Sequence, residues 1–87
     1  NGKGMYLETL ETFFQNDQSI AKTSAALFIH RNTLLFRLNR IGEITGFYPQ
    51  HLKDAINLYT ALTLYKLNQF ETASSNAEIE DQKEILL

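Results

Sequence analysis

Eighty-seven residues, 44% hydrophobic and 21% charged, suffice for one small folded domain and not for two. The absence of cysteine excludes a disulfide framework, a thiolate zinc site and a thiol nucleophile. No run of about 18 apolar residues is present, and Asn1-Gly2-Lys3-Gly4 lacks the apolar core and cleavage pattern of a signal peptide, so a soluble, cytoplasmic protein without a membrane partner is expected. The glycine-rich start without methionine reads as a flexible N-terminus or tag remnant over residues 1–4 of a piece of a longer protein. Four glycines, one proline and little period-two alternation argue against sheets, which leaves an all-α domain of four to five helices.

The first helix is expected from Met5 to Asn16, where Leu7, Leu10, Phe13 and Phe14 form one stripe between polar residues. Asn16-Asp17-Gln18 breaks that pattern, and Ser19 is placed to cap a second helix running to about Leu27. Ala21, Ser24, Ala25 and Ala26 are small, so close approach of another helix is expected there. After Phe28-Ile29-His30 a third helix is expected from about Arg31 to Thr45, closed by Gly46 with Pro49 beyond it. A long helix from about His51 to Phe70 carries apolar residues over more than one face, as if wrapped by the others or supplying a dimer seam. Residues 71–76 read as a linker and Ala77 to Leu87 as a short helix, so that 5–70 is the expected domain and 71–87 an acidic tail.

The net charge of −2 conceals an uneven distribution. Residues 19–46 hold Lys22, Arg31, Arg37 and Arg40 against Glu43 alone, net +3, whereas 71–87 carry net −4. A basic centre next to an acidic tail leaves the surface that meets a polyanion undecided by the total.

Ser19 to Arg40 has helix-turn-helix spacing: a short small-residue helix, a three-residue turn and a longer helix opening with Arg31-Asn32-Thr33. At 100° per residue from Arg31, Ile41, Leu34 and Leu38 lie at about 280°, about 300° and about 340°, facing a core. Asn32, Phe36, Arg40 and Thr33 then face outward at about 100° to about 200°, flanked by Arg37 and Arg31. In a major groove, Asn32 can pair with adenine and Arg31 or Arg37 with guanine. Thr33 can meet a phosphate or a thymine methyl, and Arg40 a backbone phosphate. Phe36 reads either as a contact to thymine methyl or sugar, or as a dimer or domain contact. His30 fits the N-cap of the third helix, accepting from a backbone amide or facing a phosphate. Ser19 completes the expected DNA-binding set.

The segment Leu27-Phe28-Ile29-His30-Arg31-Asn32-Thr33-Leu34-Leu35-Phe36-Arg37-Leu38-Asn39-Arg40-Ile41, with Thr45-Gly46 after it, resembles the C-terminal helix-turn-helix domain of PucR-type regulators, a family that includes purine-catabolism and sugar-diacid (CdaR-like) regulators. The likeness spans roughly residues 7–68. It implies a bacterial transcriptional regulator with a fold of the homeodomain-like or winged-helix kind, sensor domains N-terminal to this piece, double-stranded DNA as partner, and a homodimer on that DNA. A basic residue is common in the family where Leu35 stands and a tyrosine where Phe36 stands, so one phosphate contact and one hydroxyl hydrogen bond are not expected and affinity is weaker. Phe28 stands where wider helix-turn-helix families place a glycine, so a different turn is expected.

The rival reading is a helical interaction or dimerisation module without DNA binding, in which the long helix docks a partner and the arginines face solvent. Catalysis is not expected, because there is no glycine-rich phosphate loop and no nucleophile pattern beside His30. His51 and Asp54, three apart, are two ligands and make no metal site, so neither metal nor cofactor is expected.

Overall fold

In a computed structural model, which describes residues 2–73, the apolar stripe of the first segment folds as α1, Gly2–Gln15. The helix opens three residues ahead of Met5, because glycine disfavours a helix by only about 1 kcal/mol per residue and the stripe behind it is strong. Asp17 and Gln18 end it with φ of 54° and 62°, and their amides bond to the carbonyls of Phe14 and Phe13. The Gln18 side chain donates 2.8 Å to the Pro49 carbonyl, tying this turn to the loop that precedes the last helix.

Three further helices follow, α2 over Ile20–Leu27, α3 over Arg31–Thr45 and α4 over Leu52–Ala73. Among the described residues there is no strand, and the domain is all-helical as expected. Gly46 takes φ 81° and bonds back to the Gly42 carbonyl, so α3 ends at the expected cap. The first residues of the expected linker, 71–73, belong to α4 instead, since Glu71-Thr72-Ala73 contains neither glycine nor proline to stop it. The expected helix over 77–87 lies outside the described residues.

Helices α1, α2 and α3 enclose the core. Phe13 of α1 packs against Leu34 and Leu38 of α3, with Ile20, Leu27 and Ile29 around them. Leu10, Ile41 and Leu58 form a second cluster that carries α4, and Phe14 touches both. Each fully buried side chain of this kind contributes about 1.5–3 kcal/mol.

Two expectations need correction. In α2 it is Thr23, fully buried, that enters the interior, whereas Ala21, Ala25 and Ala26 face solvent. Small side chains permit close approach on every side of a helix and so do not say which side is used. The long helix is not wrapped by the others: Ala55, Leu58 and Leu62 are buried, and every residue from Thr63 to Phe70 is exposed. Three helices this short can cover one face of α4 and no more.

Gly42 is buried on the inner side of α3, and a Cβ there would run into the Tyr48 ring. Gly42→Ala should therefore destabilise the domain by about 1–3 kcal/mol despite alanine's better helix propensity. Urea denaturation checks this, and an unchanged or raised midpoint would show that Tyr48 moves aside freely.

Candidate nucleic-acid interface

The candidate interface is the side of α3 turned away from Leu34, Leu38 and Ile41, which are 0–4% exposed. Burial of these three fixes the rotation of the helix, and the 3.6-residue period then dictates what faces out. Arg31, Asn32, Thr33, Phe36 and Arg40 are exposed and Arg37 is half-buried, the arrangement expected from the helical wheel. Phe36 is 68% exposed, an aromatic ring held among polar and basic groups.

Each of the two helices opens on a side chain expected to cap it. Ser19 Oγ accepts from the Lys22 amide at 3.1 Å and opens α2. His30 Nδ1 accepts from the Asn32 amide at 2.9 Å and opens α3. An Nδ1 that accepts leaves the ring hydrogen on Nε2, a donor on an exposed residue beside Arg31 and Asn32. Both roles are compatible with a neighbouring phosphate, since the Ser19 hydroxyl keeps its hydrogen and His30 its Nε2–H as donors.

The turn does not differ from the glycine-containing kind. Phe28 takes φ 57° and ψ 42°, and the amides of Phe28 and Ile29 bond to the carbonyls of Ala25 and Ser24. This is the closure that glycine would make, reached by a side chain that is 94% exposed and has no packing to lose. The left-handed backbone costs about 1–2 kcal/mol for such a residue.

Glu43 enters the site unannounced. Its carboxylate lies 3.4 Å from Arg40 Nη1 and accepts from Asn39 Nδ2 at 3.1 Å. The signal was in the sequence, because an acid three residues after an arginine shares its helix face. Arg31 and Arg37 have no ion-pair partner among the described residues. Lys22, exposed on the first turn of α2, is the fourth cation of residues 19–46.

The family model for the PucR C-terminal helix-turn-helix domain matches residues 6–64. The chain belongs to this family. Among curated proteins, it is 45% identical over 64 residues to the carbohydrate diacid regulator of Escherichia coli (strain K12), a match covering 74% of this chain and 17% of that protein. It is 59% identical over 39 residues to the transcriptional activator PmfR of Paenarthrobacter nicotinovorans, covering 45% of this chain and 8% of the relative. It is 35% identical over 60 residues to the proline-responsive transcriptional activator PutR of Bacillus subtilis (strain 168), covering 69% and 15%. The chain thus corresponds to 17% or less of the length of these relatives, which are named as regulators and activators, not enzymes. No solved structure gives a significant match.

Other surfaces of this PucR-type domain are apolar or structural among the described residues. An apolar groove of about 750 Å³ between α1, α3 and α4 is lined by Tyr6, Leu10, Ile41, Ile44 and Tyr65 with their neighbours and holds no acid–base pair. His51 and Asp54 do meet, at 3.7 Å, but Asp54 also accepts from the Tyr48 amide and serves the start of α4. Among the described residues no three potential ligands gather to hold a metal, and no helix is long and apolar enough to cross a membrane.

Removing the His30 cap should expose the amide at the start of the recognition segment. His30→Ala is expected to lower stability by about 0.5–2 kcal/mol, and His30→Asn, which keeps a side-chain acceptor, to restore most of it. Thermal unfolding of both variants decides this, and equal losses would mean that the Nδ1 bond contributes nothing.

Proposed function

We propose that this domain binds double-stranded DNA sequence-specifically, with α3 as the recognition helix in the major groove and α2 crossing the backbone. The observation that carries the reading is the outward face of α3, where Asn32, Thr33, Phe36 and Arg40 project from a helix fixed by a buried opposite face. Family membership supports it, and so do the transcriptional roles in the names of PmfR and PutR. Asn32 and Thr33 occupy the N-terminal turn, which enters a groove deepest, and supply base-edge contacts together with Arg31 or Arg37. Arg40, farther along the helix, meets phosphate, with Ser19 and His30 at the flanking helix starts. Phe36 has the reach for a thymine methyl or sugar.

On this reading the domain, residues 5–70, is the C-terminal piece of a cytoplasmic bacterial regulator whose preceding domains sense a signal. It acts as a homodimer on two half-sites. The family's description as a C-terminal domain and the small share of each relative that is matched support the first of these. The twofold logic of helix-turn-helix operators supports the second.

Arg37→Ala with Arg40→Ala should weaken DNA binding at least tenfold and leave helicity unchanged, since neither side chain belongs to the core clusters. Anisotropy of labelled mixed-sequence duplex across a salt series tests this, with the salt slope falling by about 0.9 for each phosphate contact removed. Loss of helicity would sink the face assignment, and salt-independent binding would favour the interaction module. Glu43→Gln makes the opposite prediction: releasing Arg40 and deleting a negative charge should tighten binding several-fold at low salt. A variant that binds no better than the parent would show that the Arg40–Glu43 pair opens without cost.

A further inference from the structure

The apolar surface left open by the three-helix core is concentrated on α4. Leu52, Ile56, Tyr59, Leu67 and Phe70 are 72%, 58%, 58%, 56% and 57% exposed. With Thr63 they form one stripe, roughly 100° around the helix axis from the face of Ala55, Leu58 and Leu62 that meets the core. Lys66 reaches Glu11 at 3.3 Å, and the Tyr59 ring stands edge-on to Phe14 at 5.6 Å, so the rotation of α4 is held by α1. The helix thus has two apolar faces, of which the core covers one.

We infer that the second face of α4 pairs with the same face of a second copy of this chain, as an antiparallel helix pair; the inference rests on the homodimer reading above and gives it a place. Residues 52, 56, 59, 63, 66 and 70 are separated by four, three, four, three and four positions. Such alternation keeps a seam turned toward a neighbouring helix. It also reads identically in both directions, which a twofold interface requires of a single surface. Turned end for end about an axis near Ala61, Leu52 meets Phe70, Tyr59 meets Thr63, and Ile56 meets the stem of Lys66 with Leu67 beside it. In the central layers the large Tyr59 faces the small Thr63, the condition for interdigitation. Parallel pairing would instead set Lys66 against its own copy. Five side chains exposing roughly 100 Å² each give on the order of 1,000 Å² across two copies, the lower limit of a specific interface.

Sedimentation equilibrium of the 87-residue chain tests this across a wide concentration range. The expected result is a monomer–dimer equilibrium, abolished by Ile56→Gln with Leu67→Gln at unchanged far-ultraviolet helicity. Because the chain has no cysteine, introduced thiols report register cleanly. Leu52→Cys with Phe70→Cys should oxidise to a covalent dimer, while Leu52→Cys alone should not, since antiparallel pairing keeps like positions apart. A chain that stays monomeric and does not cross-link overturns the proposal, and cross-linking by the single variant as fast as the double overturns the antiparallel register. Duplex binding measured on the same samples separates the two readings. A monomer that binds DNA sinks only the seam, and a dimer that ignores DNA sinks only the DNA reading.

Discussion

The burial of Leu34 and Leu38 against Phe13 governs the rest of the structure. At 0–1% exposure these three side chains have no freedom to rotate their helices, so the packing of α3 on α1 sets the azimuth of every other residue on α3. A turn of one residue, about 100°, would carry Arg37 and Arg40 along with the apolar stripe and bring polar groups into the interior at a cost of several kcal/mol. The polar face is therefore held by hydrophobic energy that has nothing to do with nucleic acid. On the proposed reading, function and stability lie on opposite sides of one helix, which is why removing charge from the outer face is expected to leave the fold intact.

Between α2 and α3 the backbone is under more constraint than the side chains suggest. Ser19 and His30 satisfy amides at the two helix starts, and Phe28 closes α2 in a conformation that suits glycine. Strain at Phe28 persists because the surrounding bonds over-determine it: its own amide and that of Ile29 close α2, and Ile29, packed on the core, pins the chain after it. An aromatic ring 94% exposed at such a position gains no packing from the described part of the domain.

How much of this was legible follows from which forces are local. Caps at Ser19, His30 and Gly46, and the inner and outer faces of α3, depend on a few adjacent residues and a fixed period, and they appear in the sequence directly. The burial of Thr9 and Thr23 does not, because their neighbours come from other helices and polar residue type argues the wrong way. Thr9 satisfies its hydroxyl within its own helix, on the Met5 carbonyl at 2.8 Å, which lets it act as a small apolar group. Gly42 against Tyr48 is a contact between a helix interior and the loop after it, invisible to periodicity. For α4 the apolar excess was plain, but whether other helices cover it depends on how many are long enough, and that is a tertiary question. In the candidate site the outward side chains are foreseeable, whereas a charge sum that includes Glu43 does not say which arginine it meets, and the structure sets it on Arg40.

A chain of net charge −2 can still attract a polyanion, because at physiological salt the field of distant groups is screened within about 8 Å. What a phosphate meets is the local set of Arg31, Arg37, Arg40 and Lys22, less whatever Glu43 withholds. On the DNA-binding reading that set is small, with Leu35 and Phe36 contributing neither charge nor hydroxyl, so a single domain would make few phosphate contacts, with modest affinity and a correspondingly small salt slope. Two such domains joined through α4 would change the arithmetic without adding a contact. Once one recognition helix is seated, the other searches at a high effective concentration, and two weak associations multiply into a tight one. An exposed apolar face on α4 and a sparse basic face on α3 are then two halves of one physical solution, in which specificity comes from requiring both copies to be satisfied at once.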